Sequence, residues 1–251
     1  MNITSVIAAG MSLSAATIGL ADGQLIALPA NYQPTGMSAD GSIVVGFTPS
    51  GSFKWTADGI TLMSGNTLTG NIAISADGST IIGTTLNGAY EEAAYWNGTE
   101  WVPLGHLGFT CDANGSSGWG VNGDGSVIVG LGWIDDCGAH ATAWYDLGPA
   151  MDLGSIIPGE SSRANNVSAD GTVIVGWQDN GFRQGAMWVD GVESLFTFEG
   201  GPVGAAQSAT PDGTDVVGRS GGPSNEDARR WSDAGGMEVL GNLPGFNYRS
   251  I

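Results

Sequence analysis

Few side chains in this sequence are of the types that carry out chemistry, and their spacing limits what they can do. The two histidines, His106 and His140, lie outside any H-E-x-x-H spacing and so do not read as metal ligands. Adjacent carboxylates occur at Glu91-Glu92 and Asp135-Asp136. Glycoside hydrolysis uses two carboxylates, but neighbours on an extended strand point to opposite faces. Both pairs therefore read as solvated acids, in the loops between second and third strands of their units. The runs Asp112-Ala113-Asn114-Gly115 and Asn122-Gly123-Asp124-Gly125 offer calcium-type oxygens without the distal Glu of a calcium loop. No cofactor is expected, with calcium as the alternative. There is no G-x-S-x-G nucleophile elbow, and no catalytic residue is assigned.

These groups sit on a repeating frame. The phrase at Ser38–Gly46 (SADGSIVVG) recurs at Ser75–Gly83, Asn122–Gly130, Ser168–Gly176 and Thr210–Gly218, with Asn122-Gly123 replacing Ser-Ala in the third copy. Its aspartates are Asp40, Asp77, Asp124, Asp170 and Asp212, spaced 37 to 47 residues apart. A tryptophan follows each one, at Trp55, Trp96, Trp144, Trp188 and Trp231, and then a leucine, at Leu62, Leu104, Leu153, Leu195 and Leu240. A period of this length marks an array of β-units, most often a propeller.

The fourth unit shows how one copy folds. Asn166–Ala169 reads as a first strand, and Asp170-Gly171 as a hairpin turn of the type that needs positive φ at both central residues. Thr172–Gly176 is β-branched and reads as a second strand. Gln184–Trp188 and Val192–Phe196 follow as third and fourth strands, joined at Asp190-Gly191. The expected fold is all-β, a propeller-like array of about five four-stranded antiparallel blades in a complete or incomplete ring. The units lie near 36–65, 73–107, 119–156, 165–198 and 207–245. The repeated Asp reads as a structural turn residue and the repeated Trp as core between units. Gln24–Leu28 reads as a lone fourth strand ahead of the first unit. Phe246–Ile251 begins another first strand and stops, so the chain reads as part of a longer array.

Composition narrows the function. The chain has 251 residues and a formal net charge of −18, from 25 acids against 7 bases. Such a surface repels phosphate, which argues against nucleic acid and anionic membrane as partners. Residues 1–21 contain no charge and end in Gly19-Leu20-Ala21, which reads as a cleaved signal peptide and leaves 22–251 as a mature domain not inserted in a membrane. Cys111 and Cys137 are the only cysteines. An even count in an exported chain, with one residue on each side of the third phrase's hairpin, predicts a disulfide.

The recurring S-A-D-G-S/T-x-I/V-V/I-G, the A-x-x-W or A-x-W that follows, and closing motifs such as Leu104-Gly105-His106-Leu107 and Leu240–Gly245 resemble the HAF-repeat family of bacterial extracellular proteins. The resemblance spans Gly36–Gly245 and decays at Leu62-Met63-Ser64-Gly65. It implies export and a repetitive β architecture, and carries no catalytic residues.

Function is sought where units depart from the repeat. The third unit departs most, through Phe109–Gly118 and Gly132–Gly138, with Trp119 and Trp133 outside the repeated tryptophan position. Trp133, Asp135, Asp136 and Trp119 are the expected ligand-contacting residues, an aromatic and acidic surface suited to an extracellular glycan or cell-surface protein. The expected function is an exported, non-enzymatic interaction module. The alternatives are a propeller enzyme acting on polysaccharide, with two carboxylates in an axial pocket, and an architectural surface-layer component.

Overall fold

The computed structural model describes residues 5–6, 25–67, 69–112, 114–198, 201–202, 204–219 and 227–241. Five four-stranded antiparallel sheets follow one another, each with its strands in chain order. Their strands are Gln33–Met37, Val44–Thr48, Gly51–Thr56 and Gly59–Met63 in the first; Ala73–Ile74, Ile81–Asn87, Tyr90–Trp96 and Trp101–Pro103 in the second; Ser116–Val121, Val127–Trp133, Ala139–Tyr145 and Met151–Gly154 in the third; Ser162–Val167, Val173–Asp179, Arg183–Val189 and Val192–Leu195 in the fourth; and Ala205–Ala209, Asp215–Arg219, Ala228–Ser232 and Gly236–Val239 in the fifth. First strands of successive sheets pack against one another. The sheets are therefore blades of a propeller-like array, with their first strands innermost. Among the described residues, no strand of the fifth blade packs on the first as consecutive blades pack.

Some boundaries differ from the sequence reading. The fourth unit's first strand is Ser162–Val167 and not Asn166–Ala169, because Ser168 already belongs to the turn. Leu25–Ile26 joins no blade; it pairs in parallel with Ser5–Val6, and Leu28 is buried against Val44 and Phe53. Most of the expected signal segment 1–21, residue 24 and Phe246–Ile251 lie outside the described residues.

The phrase builds its own turn. In the fourth blade the Gly171 N–H donates to Ser168 O, which places Ala169 and Asp170 at the centre. Only Gly171 has positive φ, at 79°. The turn is therefore of the type I class, not the expected primed type, which needs positive φ at both central residues. The primed form is found at Asp190-Gly191, with φ of 52° and 75°, where Val189 pairs Val192 across a two-residue loop. The Asp170 carboxylate accepts from the Ser168 hydroxyl and from the Thr172 N–H and hydroxyl. The Ser168 hydroxyl accepts in turn from the Val173 N–H at 3.0 Å. The same wiring recurs at Asp40, Asp77 and Asp212, and Asn122 supplies the first position at Asp124 through its Oδ1.

From the second unit on, the repeated tryptophan faces the preceding unit. Trp144 and Trp188 are fully buried there. Trp55, Trp96 and Trp231 are half-buried. Among the described residues no blade precedes Trp55, which packs in a small cluster with Leu28 and Tyr32. Trp96 meets Trp101 edge-on, and Trp231 tilts against Phe196. On the opposite face, Val45, Ile82, Val129 and Val175 are each 0% exposed, covered by the next blade, whereas the equivalent Val217 is 40% exposed.

The glycine that closes the phrase answers a steric demand. A Cβ on Gly46, Gly130, Gly176 or Gly218 would stand 2.1, 2.0, 1.9 or 2.2 Å from a carbonyl oxygen of the blade's own first strand. Gly176→Ala should therefore destabilise the domain by about 3 kcal/mol or more, the upper range for forced overpacking, measured by urea denaturation. The turns also set an acid limit. Hydroxyl and N–H donors hold Asp40 down to about 2 and lower Asp77, Asp124, Asp170 and Asp212 for the same reason. A depressed carboxylate contributes stability above its unfolded pKa and loses it as pH falls through the folded one. The melting temperature should hold from pH 7 to about 5 and drop between about 4 and 2. Asp170→Asn should flatten that drop.

Candidate functional site

Four blades place a β-bulge at the same point of the innermost strand. The register shifts between Pro34 and Gly36, Gly118 and Gly120, Ala164 and Asn166, and Ala206 and Ser208. The extra residues are Thr35, Trp119, Asn165 and Gln207. A bulge leaves one residue unpaired and re-aims its side chain. All four line one axial cavity of about 320 Å³, together with Asn71, Asn166 and neighbours on the first strands. The second blade has no bulge in its two-residue first strand. Its equivalent residue, Ile72, is buried in the core, and Asn71 lines the cavity instead. Beyond the shared Met37, Ile74 and Val121, the axis narrows to about 220 Å³ at the turn end, between Ala39, Ala76, Gly123, Ala169 and Pro211.

Two of the bulged side chains stitch adjacent inner edges together. Thr35 Oγ1 donates to Ile72 O, and Asn165 Nδ2 donates to Ala206 O at 2.7 Å. Such bonds satisfy the exposed edge of each first strand. The Asn71 and Gln207 amides have no side-chain partner among the described residues. Trp119 donates its indole N–H to Ser117 Oγ at 3.0 Å and carries the Arg163 guanidinium 3.6 Å above its ring.

The expected third-unit cluster is divided by this arrangement. Trp119 belongs to the innermost strand and lines the axis. Trp133, half-buried, ends the second strand level with Gly115, whose carbonyl accepts from its N–H at 3.0 Å. Four residues of strand separate those levels, roughly 10 Å or more. Asp135 is exposed in a short 3-10 turn, Asp135–Cys137, and the side chain of Asp136 lies outside the described residues. Gly118 is also strand and buried, so the inserted loop is shorter than Phe109–Gly118.

The disulfide joins Cys111 to Cys137 with Cα atoms 5.2 Å apart, pinning the segment before the blade's first strand to the one after its second. Around it, Glu91 and Glu92 are not loop residues but part of the strand Tyr90–Trp96. Glu92 is 4% exposed, accepts from Asn87 Nδ2 at 3.1 Å and faces His106 Nε2 at 3.6 Å. It is therefore not a solvated acid. Glu91 accepts from Thr69 Oγ1, so the pair diverges as strand geometry requires. His140 Nδ1 meets Asp152 at 2.9 Å. Of the candidate calcium oxygens, Asp124 Oδ1 accepts from the Ser126 N–H and hydroxyl, and the Asn114 Nδ2 donates to the Cys111 and Asp112 carbonyls. Among the described residues no group of three His, Cys, Asp or Glu is placed to hold a metal ion, and no helix is long and apolar enough to cross a membrane.

The axial residues were missed by reading what repeats. The slot three residues before each phrase holds Thr35, Ile72, Trp119, Asn165 and Gln207, but the positions beside it vary as well, so the sequence alone does not single it out.

No protein-family model matches the chain, and no curated protein matches it. Solved structures do. A protein assigned as TolB from Agrobacterium tumefaciens is similar at 17% identity and a TM-score of 0.62, over 84% of this chain and 80% of that one. TolB from Acinetobacter baumannii follows at 15% and 0.56, over 82% of this chain and 52% of that one. A puromycin-hydrolyzing peptidase from Mycobacterium tuberculosis follows at 16% and 0.53, over 85% and 38%. The chain thus spans about half of the second protein and about two fifths of the third. Identities this low establish the propeller-like fold and leave function to the site.

Replacing both cysteines by serine should cost about 3 kcal/mol, the loop-closure value for a bridge of this span. Urea denaturation measures it, and non-reducing peptide mapping should recover a Cys111–Cys137 linked pair.

Proposed function

We propose that this chain is an exported, non-enzymatic interaction module of the HAF-repeat type that works outside the cell or at its surface and takes its ligand at the axial mouth. The observation that carries this reading is the bulge column. The frame repeats, and an inner-strand slot whose residue differs from unit to unit is aimed into a common cavity in four of the five blades. Binding sites form where a rigid scaffold presents variable groups. The lining supports binding rather than acid–base chemistry: it consists of amides, a hydroxyl, an indole and apolar residues, and glycoside hydrolysis needs two carboxylates. The uncharged segment at residues 1–21 supports export. The array reads as an incomplete ring, supported by Val217, which is exposed where its four counterparts are covered by the following unit.

The test is a panel of glycans and short peptides against wild type, Trp119→Ala at the axis and a Trp133→Ala, Asp135→Ala double variant at the disulfide turn, all checked for unchanged melting temperature. Axial binding predicts at least about a tenfold loss with Trp119→Ala, the order expected on truncating an aromatic anchor, and little change with the double variant. The reverse pattern would place the site at the disulfide turn. No binding by any of the three would favour the architectural role.

A further inference from the structure

The guanidinium beside the cavity lacks the partner its charge requires. Arg163 is half-buried on the innermost strand of the fourth blade. Trp119 covers it at 3.6 Å, and Trp177, its cross-strand neighbour, lies 5.2 Å away. Arg183 stacks on the same Trp177 at 3.6 Å, giving a ladder of two indoles and two guanidinium groups. Among the described residues the one hydrogen bond of the Arg163 guanidinium is from Nε, donating to Asn165 Oδ1 at 2.9 Å. Among the described residues no carboxylate lies within ion-pairing distance of Arg163, although Arg183 pairs with Asp179 at 3.3 Å. The charges near Arg163 are cationic instead. Burial, together with Arg183 and Arg219, lowers it to about 10.

This arrangement is unusual for the molecule that holds it. The chain has 25 acids and 7 bases, so an arginine without an acid beside it runs against composition. A desolvated charge is unfavourable unless it is paired. Two terminal amino groups of a guanidinium, planar and fixed by stacking, match the two oxygens of a carboxylate. Both residues that hold Arg163 in place, Trp119 and Asn165, line the axial cavity. Across that cavity, the Asn71 and Gln207 amides each offer donors and an acceptor, the complement of sugar hydroxyls. A volume of about 320 Å³ lies at the small end of ligand cavities and suits a group of monosaccharide size.

We infer that the axial mouth binds an acidic saccharide, with Arg163 on the carboxylate of a uronic acid, Trp119 forming the aromatic wall, and Asn71 and Gln207 on its hydroxyls. This rests on the axial reading given above and adds the charge and class of the ligand. The acidic surface is consistent with it: long polyanions are repelled as a whole, while a single carboxylate meets the one guanidinium beside Trp119 and Asn165.

The probes are methyl glucuronoside, its carboxyl methyl ester and methyl glucoside, with a short peptide bearing a free C-terminal carboxylate as the competing chemistry. Affinities are measured by titration calorimetry and tryptophan fluorescence. The acid should bind wild type at least about tenfold more tightly than the ester or the glucoside. Arg163→Gln should erase that difference, and Arg163→Lys, which keeps the charge, should retain part of it. Should Arg163→Gln fail to fold, the wild-type preference for the acid should still shrink as salt rises from about 0.05 to 0.5 M; a salt-independent preference would overturn the assignment. Equal binding of acid and ester overturns the carboxylate assignment, and leaves the axial reading standing if Trp119→Ala still abolishes binding. Tight binding of the peptide without the glucuronoside overturns the saccharide class. Absence of any Trp119-dependent binding overturns both readings.

Discussion

The contact between a backbone carbonyl and a residue with no side chain governs this molecule. In four blades the closing glycine of the repeated phrase lies against a carbonyl oxygen of the first strand, too close for any Cβ. That approach occurs beside the bulge, where the first strand carries one residue more than its partner. The two features form one device: the glycine lets the strands close over the kink, and the kink aims the next side chain at the axis. Remove the glycine, and the innermost strand would have to move away from the sheet that positions it.

Much of the frame could be read directly from residue types. The aspartates lie in turns, the strand count per unit is four, and the cysteines pair, because each of these follows from local chemistry or from the spacing of a pattern that recurs. What was not legible depends on register. An extra residue in one strand has no signature of its own in a sequence, and Trp119 was grouped with Trp133, Asp135 and Asp136 when it lines the axis from the innermost strand. Glu92 read as a solvated acid, although its strand alternation turns it inward toward Asn87 and His106. The half-burial of Trp55, Trp96 and Trp231 beside the full burial of Trp144 and Trp188 depends on the packing of each neighbouring unit, which no single repeat records.

Electrostatics divides the molecule into two scales. The overall surplus of acid keeps the surface repulsive to polyanions. At the scale of one side chain, the acids are assigned to particular tasks: five close turns, one meets His140 and one is buried near His106. Beside the axis, the Arg163 guanidinium is covered by the Trp119 indole, with no carboxylate in ion-pairing distance among the described residues. A potential computed from net charge alone would miss that local reversal.

The turns carry one more arrangement. Ala39 donates its N–H to Ala76 O, Asp77 to Gly123 O, Gly123 to Ala169 O, and Asp170 to Pro211 O. Each link joins one blade to the next, and each uses main-chain atoms alone. A junction written in the backbone does not depend on which side chains flank it, so a duplicated or deleted unit would meet its new neighbours through the same bonds. A change in the number of units would leave these main-chain links intact, and the side-chain contacts at the seam, such as Thr35 to Ile72 O and Asn165 to Ala206 O, would be the part to refit.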